Sequence, residues 1–83
     1  LYAVIGQWET DAVDEQQFAH IVSVVREHPG FVRMLTGKDT DESGIAHSVV
    51  VLDSHDNAIA FKTGVLSNIA SASLRIVEVL ADA

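Results

Sequence analysis

The sequence predicts an α+β fold in which an antiparallel four-stranded sheet carries two helices on one face, in the order βαββαβ. Three observations lead there. Short runs of strand-forming residues alternate with helical patterns in that order, one helix start is legible residue by residue, and a polar eight-residue run joins two strands as a hairpin. The 83 residues fit a single domain over 1–83, because independent cores typically run about 50 to 200 residues.

Tyr2 to Glu9 is rich in strand formers and bounded by the polar run Thr10 to Asp14, so it reads as the first strand despite Gly6. Side chains alternate along a strand, which puts Tyr2, Val4, Gly6 and Trp8 on one face and Ala3, Ile5, Gln7 and Glu9 on the other. The first helix starts at Asp14 as N-cap, with Gln17 completing a capping box and Val13 placed to staple onto Phe18. Phe18, Ile21, Val22 and Val25 then form one apolar stripe, with Glu15, Gln16, His20, Ser23 and Glu27 away from it. His28-Pro29-Gly30 stops the helix, since proline disfavours helical geometry at the residue before it and glycine permits the turn.

Phe31 to Thr36 and Ile45 to Leu52 are the second and third strands, with the loop Gly37 to Gly44 between them. Asp53-Ser54 caps a second helix in which Ala58, Phe61, Val65 and Ile69 recur near helical spacing, and Gly64 marks an end or a kink. Leu74 to Leu80 is the fourth strand, chosen over a helix continuing through the Ala/Ser segment because Ile76, Val77 and Val79 are β-branched. This order is that of a ferredoxin-like split βαβ fold. The third strand has Ile45, His47, Val49 and Val51 on one side and Ala46, Ser48, Val50 and Leu52 on the other, so its latter half is apolar on both faces. If one face meets the helices, the other is expected to meet a second copy in a two-fold sheet-against-sheet homodimer.

Composition removes several function classes. With 12 acidic against 5 basic residues and a net charge of −7, the chain has no clustered lysine and arginine for a phosphate backbone, so nucleic acid is not expected as a ligand. No apolar run approaches the roughly 18 to 20 residues of a membrane-crossing helix. The absence of cysteine removes disulfides and thiolate chemistry and suits a cytoplasmic protein. The first residue is Leu1, so a targeting segment upstream is not assessable.

Phe18-Ala19-His20, the turn Glu27-His28-Pro29-Gly30-Phe31 and the step Leu52-Asp53-Ser54 resemble the antibiotic biosynthesis monooxygenase family. The resemblance implies a dimeric α/β barrel of two ferredoxin-like subunits, each with a small-molecule pocket between sheet and helices. It also implies oxidation of an aromatic or quinol-like substrate without metal or flavin, hence no cofactor. Where members commonly carry Trp-Glu-Ser, this chain has Leu52-Asp53-Ser54. Haem-degrading relatives use an Asn on the first strand and a Trp and a His on the second helix. Here Gly6 or Gln7 and Phe61 stand nearest the first two, and no histidine follows His55, which removes the axial ligand.

The pocket residues expected are Tyr2, Trp8, Phe18, Leu52 and Phe61, with Gly6 leaving room for a flat ligand; the competing reading is an ordinary aromatic core. His47 shares the Ile45, Val49 and Val51 face, which suits a dimer contact or an acid–base group, with Gln7 as an assistant. The four histidines lie on different elements or lack the i, i+4 spacing of a zinc site, so no metal is expected. Arg33 and Arg75 suit ion pairs with Glu9 or Glu78, or a substrate anion. The loop Lys38 to Glu42 lacks the ligand pattern of a calcium loop.

Overall fold

The computed structural model describes residues 1–69 and 72–83. Its elements are β1 (Tyr2–Glu9), a single 3-10 turn at Thr10–Ala12, α1 (Glu15–Arg26), β2 (Phe31–Lys38), β3 (Ile45–Leu52), α2 (His55–Asn68) and β4 (Ser73–Glu78). The strands form one sheet in the order β2-β3-β1-β4, and every pairing is antiparallel. This is the βαββαβ, ferredoxin-like topology expected from the sequence.

The start of α1 is built as the residues dictate. The Asp14 carboxylate accepts from the Gln17 backbone N–H at 2.8 Å, and the Gln17 side chain accepts from the Asp14 N–H at 2.9 Å, so two donors at the helix start are satisfied at once. Ser54 caps α2 by accepting from the Asn57 N–H. Gly30 ends the α1 turn at φ +80°, and a Cβ there would collide with the Asp53 carboxylate and the Asn57 amide that pack beneath it, so only glycine fits.

Three boundaries differ from the sequence reading. β2 runs two residues past Thr36, because Gly37 and Lys38 still pair with His47 and Ala46 across the hairpin. α2 passes through Gly64 to Asn68 without stopping; Thr63, Ser67 and Asn68 side chains each hydrogen-bond a carbonyl one turn back, at Ile59, Thr63 and Gly64. β4 begins at Ser73 and its paired residues end at Glu78 opposite Tyr2, with one further backbone bond from the Val79 N–H to the Leu1 carbonyl at 3.0 Å. The junction between α2 and β4, residues 70–71, lies outside the described residues.

Both helices pack on the inner face of the sheet. Val4, Val50 and Leu52 from the strands meet Val25 from α1 and Ala58 and Phe61 from α2, with Leu52 fully buried. Burying side chains of this size contributes about 1.5 to 3 kcal/mol each. The two helices share the work unevenly: α2 buries Ala58 and Phe61, whereas α1 buries only Val25, near its C-terminal end.

The outer face carries Ile5, Leu35 and Val77, exposed by 43%, 75% and 38%, around a half-buried Val49. Ala3 and Val51 on the same face are buried. They share a cross-strand row with Arg33, and Arg33 pairs with Asp82 at 2.5 Å. Asp82 lies beyond β4 at one edge of the sheet and Arg33 on β2 at the other, so the segment after β4 spans the sheet at this end. Arg33 is therefore paired with Asp82, and not with Glu9 or Glu78 as the sequence suggested. No described helix is long and apolar enough to cross a membrane.

Candidate functional site

A cavity of about 670 Å³ lies between the inner face of the sheet and the two helices. Its size falls within the range of small-molecule sites, about 300 to 1,000 Å³. The sheet provides Val4 and Trp8 of β1, Met34 of β2, and Ser48 and Val50 of β3. One wall is α1 with Phe18, Ile21 and Val25, and the other is α2 with Phe61 and Val65. The wall is predominantly apolar, as desolvation of a hydrophobic ligand requires.

Of the five pocket residues expected from the sequence, the structure brings three to this cavity. Trp8 and Phe18 stack with ring centroids 5.8 Å apart and planes 23° apart, and Phe61 closes the far side. Tyr2 and Leu52 are not part of the wall. Leu52 is sealed in the core, and Tyr2, at the other end of β1, packs its ring 5.2 Å from that of His55. Both share the inward parity of the cavity residues, but Tyr2 is six residues along β1 from Trp8, about 20 Å of strand rise, and Leu52 is its partner on β3, near the start of α2. Gly6 does not open space for a ligand either: the Leu74 side chain of β4 occupies the place a Cβ would take, and the Ser73 carbonyl stands 2.9 Å from it.

His47 and Gln7 face each other across the β1–β3 ladder, and their parity puts them on the outer face, across the sheet from the cavity. Alternation alone separates them from Trp8 and Ser48, each one residue along. His47 is instead bound to the hairpin: its Nε2 lies 2.7 Å from Asp39 Oδ2. Asp39 also accepts from the backbone N–H groups of Asp41 and Glu42 at 2.8 and 2.9 Å. The hydrogen bond from His47, followed by those from Glu42 and Asp41, lowers the Asp39 carboxyl from 3.8 to about 2. Among the described residues no three His, Asp or Glu side chains gather as a metal site would require.

The cavity has polar residues that the sequence reading left aside. Trp8 Nε1 donates to Ser48 Oγ at 3.1 Å, and Ser48 Oγ lies 3.0 Å from Thr36 Oγ1, so a chain of side chains crosses from β1 to β2. His20 and His28 of α1 and its end, with Asn68 of α2, also line the wall. The signals were present. Ser48 has the parity of Val50 and Leu52, and His28 follows Ile21 and Val25 at i+7 and i+3, on the buried stripe extended by one turn.

Two solved structures share this architecture. SnoaB from Streptomyces nogalater, a cofactor-independent oxygenase crystallised as a point mutant, superposes with a TM-score of 0.70 at 17% identity, over 98% of this chain and 94% of that one. A candidate antibiotic biosynthesis monooxygenase from Deinococcus radiodurans gives 0.52 at 13% identity, over 100% and 95%. No protein-family profile and no curated protein sequence matches the chain. At these identities the likeness establishes the fold: this chain has the ferredoxin-like architecture on which both of those proteins are built.

Proposed function

We propose that the chain binds a small, largely apolar aromatic molecule in the cavity beside Trp8, Phe18 and Phe61, and oxidises it with molecular oxygen without a cofactor. The observation that carries this reading is the cavity itself: about 670 Å³ walled by stacked aromatics, with a few convergent polar groups. The architecture shared with a cofactor-independent oxygenase supports the reaction class. A phenol or quinol suits such a site. Ionised in a water-poor pocket it is electron-rich, and reaction with oxygen converts a ring C–H and the O–H into a quinone while the second oxygen atom leaves as water. The substrate supplies all the electrons. A second copy of the chain pairs through Ile5, Leu35, Val49 and Val77 of the outer face, giving a dimeric barrel, and the cysteine-free composition accords with the cytoplasm.

One observation favours a second reading, a non-catalytic ligand-binding or oligomerisation module of the same fold: His47 and Gln7, the candidate catalytic residues of the sequence, lie across the sheet from the cavity. One experiment separates the two. Trp8 is the single tryptophan, so its fluorescence reports occupancy directly while an oxygen electrode follows turnover on the same panel of electron-rich phenols. Saturable quenching with oxygen uptake supports the oxygenase; quenching without uptake supports the binding module; no quenching by any aromatic refutes the ligand site.

A further inference from the structure

The described residues that line the cavity come from every element of the fold, yet none of them is Asp, Glu, Lys or Arg. In a chain with 12 carboxylates this is a strong segregation, and it leaves His20 and His28 as the titratable side chains of the wall. The charged residues nearest His28 in the chain or on the elements packed around it stay outside that wall: Glu27 beside it, Arg26 two residues before it, Asp53 against the Gly30 turn, and Lys62 next to Phe61 on α2. The two histidines are eight residues apart along α1 and its end, roughly 12 Å of helix rise, so they serve different ends of the cavity.

His28 is held in a defined state. Its Nδ1 lies 3.0 Å from the Pro29 carbonyl oxygen, and a carbonyl only accepts, so Nδ1 carries the proton and Nε2 is the ring's free proton acceptor. The ring stands edge-on to Phe61, with centroids 5.5 Å apart and planes 89° apart, which fixes its plane against an aromatic wall of the cavity.

We propose that His28 is the proton acceptor of the cavity and that the ligand is a weakly acidic phenol bound as its phenolate; this rests on the reading of the cavity as an aromatic site. The step is a single proton transfer. The phenol O–H bond breaks, its electron pair stays on oxygen, and the proton bonds to His28 Nε2, leaving a phenolate beside an imidazolium in a wall with no carboxylate to compete. Recognition thus depends on acidity as well as shape, and His20 has no part in it.

The probes are 4-nitrophenol, whose ionised form is coloured, and 4-nitroanisole, which has nearly the same shape and no proton to lose. Both are titrated by Trp8 quenching against the wild type, His28→Asn and His20→Asn. An Asn amide reproduces the Nδ1 donor to Pro29 while removing the Nε2 acceptor, so the loop contact survives. The wild type is expected to bind nitrophenol about tenfold more tightly than nitroanisole and to lower its ionisation midpoint by about one unit, the effect of one adjacent opposite charge. His28→Asn is expected to lose both effects while still binding nitroanisole, and His20→Asn to keep both. Equal binding of the two probes to the wild type, or an unchanged preference in His28→Asn, overturns the role of His28 and leaves the aromatic site standing. Failure of both probes to bind overturns the site as well. Should His28→Asn not fold by circular dichroism, the ring nitrogen NMR signals of wild-type His28 decide: conversion to imidazolium on adding nitrophenol supports the transfer, and an unchanged neutral ring refutes it.

Discussion

Substituting Gly6 by alanine tests the packing beneath β1. Gly6 sits on the strand between β3 and β4, facing Leu74, whose side chain fills the place a Cβ would occupy, with the Ser73 carbonyl 2.9 Å from it. The Leu74 side chain can rotate away, but the carbonyl belongs to the ladder and moves only with its strand. Such overpacking costs about 1 to 3 kcal/mol. An opposing effect must be set against it: Gly6 does not have a positive φ, so alanine also restricts the unfolded chain and returns about 0.4 to 1 kcal/mol. The net expectation is a loss of about 1 to 2 kcal/mol. In a domain of this size each kcal/mol shifts Tm by about 4 to 8 °C. Urea unfolding followed by Trp8 fluorescence measures it, with Gly6→Ala/Leu74→Ala completing a double-mutant cycle. The double variant is expected to be more stable than the two single losses together imply, since Leu74→Ala empties the space. A Gly6→Ala protein as stable as the wild type, or more so, refutes the packing argument.

Asp14→Ala removes the carboxylate that accepts from the Gln17 N–H while leaving the residue 14 N–H to the Gln17 side chain, and is expected to cost about 0.5 to 2 kcal/mol by urea denaturation, with the helical signal of α1 fraying first in hydrogen exchange. Asp39, lowered to about 2 by His47 and two backbone donors, contributes stability that is complete above its unfolded value near 3.8 and is lost as pH falls through about 2. His47→Ala should raise the Asp39 midpoint toward 3.8, read by NMR of its carboxyl carbon, and a midpoint that stays near 2 would show that the backbone donors suffice. Leu35→Lys puts a charge on the most exposed of the three outer-face residues Ile5, Leu35 and Val77; sedimentation should show a dimer for the wild type and a shift toward monomer for the variant.

The fold was legible because its strongest signals are local. The Asp14–Gln17 box, the His28-Pro29-Gly30 stop and the alternation of β1 and β3 each settle an element within a few residues. What the sequence did not reveal was relational. Parity correctly put Trp8 with Val4, but strand rise already sets Tyr2 six residues away from Trp8, and only the paired strands show Leu52 to lie opposite Tyr2 at that far end. Gly6 was read as space because sequence cannot show Leu74 arriving from β4. His47 was read as a dimer contact or as an acid–base group assisted by Gln7, and the parity the two share, opposite to that of Trp8, already weighed against the second role. His28 was assigned to the helix end alone, and only the approach of Phe61 from α2 reveals its second surface.

The uneven burial of the two helices ties occupancy to folding. With Val25 as its sole buried residue, α1 lacks on its cavity side the neighbours that α2 has, and a guest in that space stands in for them. Any tenant of the cavity therefore acts as a borrowed piece of interior. At one hundred times its dissociation constant it stabilises the folded chain by about 2.7 kcal/mol, and hydrogen exchange should register the gain first along the loosely held helix.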